Sequence, residues 1–158
     1  MMKNIFILML LALSSCSNSD ENQDNFVLDT MIEFEVRDNQ GNDMLDPENS
    51  NSYDESQIKL LYLNNGKYVE FYDSSLDHPK NFLIYKHANN YRIRVFINND
   101  INEDKPETII QWSENEKDTI RVEIARTNRS ELIKSIWMNE EYIWDESYKT
   151  EPFFILEK

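Results

Sequence analysis

The chain has 158 residues, a length that suits a single globular domain. Its 30 acidic residues outnumber its 16 basic ones, and the formal net charge of −14 argues against nucleic-acid binding, because phosphate recognition requires a basic surface. Hydrophobic residues make up 40% of the chain, which is enough to build a core and argues against global disorder.

The N-terminus has the pattern of an export signal. Lys3 precedes an unbroken apolar run over residues 5–13, which is too short to span a bilayer because a spanning helix needs about 20 residues. The run ends in Leu13-Ser14-Ser15-Cys16, in which one aliphatic and two small residues precede a cysteine. This motif resembles the lipobox of bacterial lipoproteins. The resemblance implies a signal peptide over residues 1–15, cleavage after Ser15 and lipid on the sulfur of Cys16.

The single cysteine supports this interpretation, because acylation gives a lone thiol in an exported protein a role. Residues 16–25 are polar and acidic, so we expect a flexible tether. A short acidic stretch behind the lipidated cysteine also resembles the surface-export signal of Bacteroidota lipoproteins; the alternative is a solvated spacer without a sorting role. We therefore expect a lipid anchor in the outer membrane, with the cell surface favoured over the periplasmic face.

From residue 26 onward, apolar residues mostly alternate with polar ones, which is the period of a half-buried β-strand. Residues 43–57 lack this alternation and are expected to form a long loop. Asn64-Asn65-Gly66 is the strongest hairpin signal, because Asn and Gly tolerate the positive φ angles of tight turns. The predicted strands are 32–36, 58–63, 68–72, 82–85, 91–97, 108–112, 120–124, 133–138, 142–144 and 153–156.

One of these segments has an alternative. Residues 130–138 are expected to form a strand, although Leu132, Ile133, Ile136 and Trp137 would also share one face of a helix. The series of short strands separated by turn signals predicts an all-β fold, either a β-sandwich or a barrel. We expect an antiparallel β-sandwich formed by one domain over residues 26–158.

The same segments carry a resemblance to a known group. Residues 37–47, 117–120 and 136–139, together with Trp144, resemble small Bacteroidota lipoproteins of the immunoglobulin-like or transthyretin-like sandwich type. The resemblance spans most of the exported domain. It implies the fold but brings no known activity with it, and a fold alone does not imply a function.

No catalytic constellation is predicted. Nucleophilic hydrolases pair their nucleophile with a positioned base, usually histidine, and the chain has only His78 and His87, neither of them in a recognisable nucleophile motif. Carboxylates are abundant enough for a glycosidase pair, but we expect them to form a solvated face. We therefore expect a non-enzymatic protein.

A calcium site is the metal hypothesis, and no other cofactor is expected. Asp38, Asp43 and Asp46 cluster around a glycine-containing turn, and hard cations prefer such oxygen ligands. Residues 98–104 also place Asn and Asp at alternate positions, but they lack the glycine and the final glutamate of an EF-hand loop. The alternative for both loops is local hydrogen bonding of Asn and Asp side chains to the backbone.

Aromatic residues supply the ligand-binding hypothesis. Trp137 and Trp144 are expected to lie near each other on one hairpin, where two exposed rings would form a sugar-stacking patch. The alternative is that tryptophans, Trp112 among them, fill the core. The sequence thus predicts a lipid-anchored binding or scaffold module with an unidentified protein or glycan partner. The alternatives are a carbohydrate-binding surface lipoprotein and a calcium-stabilised adhesion or accessory subunit.

The anchor is tested by the substitution Cys16→Ala. Without the thiol no thioether-linked lipid can form, so the variant should accumulate unprocessed or leave the membrane fraction. Cell fractionation and mass spectrometry of the wild-type and variant chains measure this. A variant that remains fully in the membrane fraction at its processed mass would contradict the lipid anchor.

Overall fold

The computed structural model describes residues 25–158, so the signal peptide, Cys16 and nearly all of the tether lie outside the described residues. The regular secondary structure of this part of the chain is almost entirely β, with one short 3-10 helix at Glu146–Tyr148. The eleven strands are β1 (Val27–Asp29), β2 (Met31–Arg37), β3 (Lys59–Asn64), β4 (Lys67–Glu70), β5 (Phe82–His87), β6 (Asn90–Phe96), β7 (Glu107–Gln111), β8 (Lys117–Arg126), β9 (Ser130–Met138), β10 (Glu141–Asp145) and β11 (Phe153–Glu157).

The strands form two open sheets, which confirms the predicted β-sandwich. The larger sheet has the order β1-β9-β8-β7-β3-β4, and β10 also pairs with β9. The smaller sheet has the order β11-β2-β6-β5. The sheets are mixed rather than purely antiparallel, because β1 runs parallel to β9 and β11 runs parallel to β2. Both exceptions pair strands distant in sequence, which no tight hairpin forces to be antiparallel.

The core lies between the inner faces of the two sheets. In β2, Ile32, Phe34 and Val36 are buried, while Glu33 and Arg37 face outward, as the alternation predicts. The largest side chains with less than 2% exposure are Trp112, Phe34, Ile32, Ile58, Leu60, Ile93, Ile110, Ile120, Ile136, Val36, Val95 and Val122. Phe34 packs edge-on against Trp112, with ring centroids 6.3 Å apart. Trp112 therefore lies in the core, as the alternative for the tryptophans proposed.

Residues 130–138 form strand β9, so the helical alternative is wrong. The helix-like spacing of Ile133 and Ile136 has a structural cause. The register between β8 and β9 shifts so that Ile124 lies opposite Ile133, whereas the preceding Glu123 lies opposite Ser135. The extra residue in β9 turns both isoleucines toward the core, where they are 8% and 0% exposed.

A buried carboxylate joins the two sheets. Asp118 lies in β8 and is 6% exposed. The indole Nε1 of Trp112 donates a hydrogen bond of 2.5 Å to its Oδ2, and the Nδ2 of Asn139 donates one of 2.7 Å to its Oδ1. Lys158, which follows β11, donates a further hydrogen bond to Oδ2. Three separate parts of the chain thus converge on one side chain.

These contacts set the ionisation of Asp118. Burial alone would raise the pKa of its carboxyl group, but the hydrogen bonds from Lys158, Asn139 and Trp112 and the charge of Lys158 leave the pKa below its ordinary value. The ionised form therefore stabilises the fold at neutral pH. This stabilisation is complete above the pKa of the unfolded chain and is lost as the pH falls through the lower pKa of the folded state.

Replacement of Asp118 by asparagine should lower the free energy of unfolding at pH 7 by about 1–3 kcal/mol, because charge-assisted hydrogen bonds become neutral and one buried donor loses its acceptor. The loss should shrink as the pH falls below the ordinary range of an aspartate, since the wild-type carboxyl group is then protonated too. Denaturant titrations from neutral to acidic pH measure both effects. The control is Glu123→Gln, at a carboxylate with only an exposed contact to Lys134. Equal losses in the two variants would contradict a special role for Asp118.

Candidate functional site

The outer face of the larger sheet carries a row of side chains in register across its strands. Glu107 lies opposite Arg121, Arg121 opposite Trp137, and Trp137 opposite Tyr142. At the other end, Tyr68 of β4 reaches over β3 to Glu107 and donates a hydrogen bond to its Oε2. We call these five residues the transverse row. They share one face because partners directly opposite each other in neighbouring strands point to the same side of a sheet.

The centre of the transverse row is a fixed polar group. Arg121 places both Nε and Nη2 at 2.7 Å from Oε1 of Glu107, while Tyr68 binds the other carboxylate oxygen. Burial alone would raise the pKa of Glu107, but the hydrogen bonds from Tyr68 and Arg121 leave it lowered. The hydrogen bond to Glu107, followed by burial, raises the pKa of Tyr68 to about 12. At neutral pH the carboxylate is therefore ionised and the phenol is protonated.

The other end of the transverse row is aromatic. The rings of Trp137 and Tyr142 lie 5.2 Å apart in an edge-on arrangement. Tyr142 is 48% exposed, and its hydroxyl donates to Oδ2 of Asp145 at 2.9 Å. The Nζ of Lys105 sits 4.3 Å from the centre of the Trp137 ring, a cation–π contact. A ligand that stacks on this face of the ring has to share it with Lys105 or displace that side chain.

A concavity of about 280 Å³ adjoins the row between Tyr68, Arg121 and the β9–β10 turn. The turn residues Asn139 and Glu140 both have positive φ, at 50° and 71°. Asparagine tolerates this conformation, whereas a glutamate there carries strain of order 1–3 kcal/mol. The turn holds Glu140 at the wall of the concavity, a polar opening just below the usual size range of small-molecule pockets.

The structure separates the two tryptophans predicted as a pair. Trp144 is 8% exposed and lies in the core, opposite Ile136, whereas Trp137 is half-exposed on the outer face. Residues 142 and 144 would share a face in a regular strand, but a register shift between them turns Trp144 inward. Trp144 therefore cannot take part in a surface patch. The aromatic partner of Trp137 is instead Tyr142, which the sequence pattern did not predict as part of a binding patch.

The three predicted calcium ligands do not converge on one point. Asp38 accepts hydrogen bonds from Asn42, through both its backbone N–H and its side-chain amide, and these contacts lower the pKa of Asp38. The carboxylate of Asp43 accepts the backbone N–H of Tyr91 at 2.7 Å, and Asp46 accepts that of a residue two positions along. Within residues 25–158, no three or more histidine, cysteine or acidic side chains are grouped to hold a metal ion.

The remaining candidates are also dispersed. In the second acidic loop, Asn98 accepts the backbone N–H of Asp100, and Asp100 accepts that of Asn102, which is the local turn bonding considered as the alternative. His87 ends β5 and His78 lies in the loop before that strand, and both are exposed. His78 borders a shallow surface opening of about 520 Å³ with Tyr72 and other loop residues.

Comparison of the chain with protein-family models, with curated proteins and with solved structures finds no match. The described residues contain no helix of the length and apolar character needed to cross a bilayer.

Proposed function

We propose that the protein is a lipid-anchored, non-enzymatic binding module of the bacterial envelope and that the transverse row is its binding surface. The lipobox at Cys16 and the acidic tether support an anchor in the outer membrane and display at the cell surface. The single observation that carries the binding surface is the in-register alignment of Tyr68, Glu107, Arg121, Trp137 and Tyr142 on one open sheet face.

Carbohydrate is the ligand class that this surface favours. A sugar ring presents an apolar face of C–H groups and a rim of hydroxyl groups. Trp137 and Tyr142 offer aromatic surface for the first, while Arg121 and the residues around the concavity offer donors and acceptors for the second. These polar groups are already held by neighbours, so a ligand meets them with little ordering cost.

The lowered pKa of Glu107 supports a role in binding without hydrolysis. A general acid needs a pKa near the working pH so that it carries a proton to donate. The pKa of Glu107 is instead lowered, and its two oxygens are occupied by Tyr68 and Arg121. The carboxylate at the centre of the transverse row is therefore suited to orient Arg121 rather than to transfer protons.

The substitution Trp137→Ala tests the surface. On a glycan array, binding by the wild-type chain should fall about tenfold or more in this variant, because the stacking surface is lost. Tyr72→Ala is the matched control, since Tyr72 is an aromatic residue, 65% exposed, outside the transverse row. A ligand should also change the tryptophan emission of the wild-type chain, in which Trp112 and Trp144 are buried.

Two results would contradict the proposal. Equal loss in the Trp137 and Tyr72 variants would place the binding surface elsewhere. Release of reducing sugar from a bound glycan would contradict the non-enzymatic part, while leaving the location of the surface intact.

A further inference from the structure

The two sheets end side by side in unpaired strands. β10 lies at the edge of the larger sheet and β11 at the edge of the smaller one. A groove of about 350 Å³ runs between them, and its walls include Ile143 of β10 and Phe154, Ile155 and Leu156 of β11. None of the five residues of the transverse row lines this groove, although Asn139 lines both the groove and the concavity beside the row.

The free edge of β11 has protecting residues only at its ends, where Pro152 precedes the strand and Glu157 closes it. Natural edge strands are commonly guarded by lysine, proline or a bulge, because unpaired backbone groups invite another strand. The run Phe153-Phe154-Ile155-Leu156 contains none of these. Phe153 is 38% and Ile155 is 45% exposed, so the edge also presents apolar side chains.

The backbone of β11 is oriented to accept a further strand. The carbonyl of Pro152 accepts the N–H of Glu33, and the N–H of Lys158 donates to the carbonyl of Arg37. Since backbone groups of alternate residues point to opposite sides of a strand, the even-numbered residues of β11 face β2. The N–H and C=O of Ile155 therefore point away from β2, and Ile155 is one of the residues that line the groove.

The acidic residues of the groove indicate which kind of strand can bind there. Glu141 and Glu157 line the groove, while the whole chain carries a net charge of −14. A second copy of the chain would bring the same acids and the same net charge to the contact. A segment with apolar side chains between lysine or arginine residues would instead match both the apolar walls and the acids.

We propose that the free edge of β11 binds an extended segment of a partner protein, in which alternating apolar residues are flanked by lysine or arginine, as a fifth strand of the smaller sheet. Strand addition of this kind draws affinity from main-chain hydrogen bonds and specificity from alternate side chains. The site is separate from the transverse row, so it does not rest on the proposed glycan binding.

The experiment measures the binding of two synthetic peptides to the full-length chain. In one, Val and Thr alternate between terminal Lys residues; in the other, Glu replaces the terminal Lys. We expect the basic peptide to bind and the acidic one to bind at least about tenfold more weakly at low salt. Added salt and the double substitution Glu141→Gln with Glu157→Gln should reduce that preference.

Ile155→Pro tests the backbone contact without a change of charge. Proline removes the N–H that faces the groove and is tolerated at an edge where that N–H meets solvent. The matched control is Glu70→Pro in β4, the opposite edge of the larger sheet, where residue 70 lies opposite Leu61. Because this change also removes the carboxylate paired with Lys59, Glu70→Gln accompanies it as the control for charge. We expect Ile155→Pro to weaken binding of the basic peptide about tenfold or more, and Glu70→Pro to leave it unchanged.

The proposal is overturned if neither peptide binds, if the acidic peptide binds as well as the basic one, or if both proline variants bind like the wild-type chain. It is also overturned if the wild-type chain forms dimers that Ile155→Pro converts to monomers, because the occupant would then be a second copy. Unfolding temperatures close to that of the wild type exclude loss of the fold as the cause. Glycan binding by Ile155→Pro should be unchanged, which distinguishes this site from the transverse row.

Discussion

The hydrogen bonds to Asp118 are the interaction on which the rest of the structure depends. A buried charge is tolerated only when it is paired and hydrogen-bonded, and Asp118 achieves this with donors from three regions of the chain. Asn139 belongs to the turn that carries Glu140, and Lys158 follows β11. Lys158 also approaches Glu116 at 3.1 Å. One carboxylate thus positions a wall of the concavity beside the transverse row and the end of the free edge strand.

The transverse row shows how a plain sheet face acquires binding chemistry. The polar side chains at its centre hydrogen-bond to one another, because Arg121 and Tyr68 both donate to the carboxylate oxygens of Glu107. Its aromatic end is left open apart from Lys105, since Tyr142 lies on an edge strand and Trp137 on its neighbour. Polar groups already held in place beside the half-buried Trp137 and the exposed Tyr142 reduce the cost of ordering a ligand. The β10–β11 groove differs from the row. There the edge strand β11 has no neighbouring strand on one side, and apolar side chains line the walls.

The strands could be predicted because alternation of side chains is a local property of a strand. The hairpin at Asn65 and Gly66 was predictable for the same reason, and both residues have the positive φ that such a turn requires. β1 was missed, since Val27 and Leu28 are exposed by 53% and 58% and leave no buried alternation. The register shifts were also missed, because the partner strand, rather than the residues themselves, determines where they fall.

The candidate site was predictable only in part. Trp137 could be selected as an aromatic residue of a strand, but its neighbours depend on the strand order β4-β3-β7-β8-β9, which joins residues far apart in sequence. Because of the register shift before Trp144, this residue, which was the expected partner of Trp137, lies in the core. The acidic loop could not be assigned from the sequence, because aspartates that bind the backbone and aspartates that bind cations share the same turn-rich sequences, and the described aspartates bind the backbone.

In the proposed function, the outer face of the larger sheet binds the ligand. Amide hydrogen exchange of the full-length chain, recorded with and without the best-binding glycan from a library, tests this location. We expect slower exchange on binding in β8, β9, β10 and the turn at Asn139, with β5, β11 and the loop over residues 44–57 unchanged. Slower exchange confined to β5, β11 or that loop would contradict it.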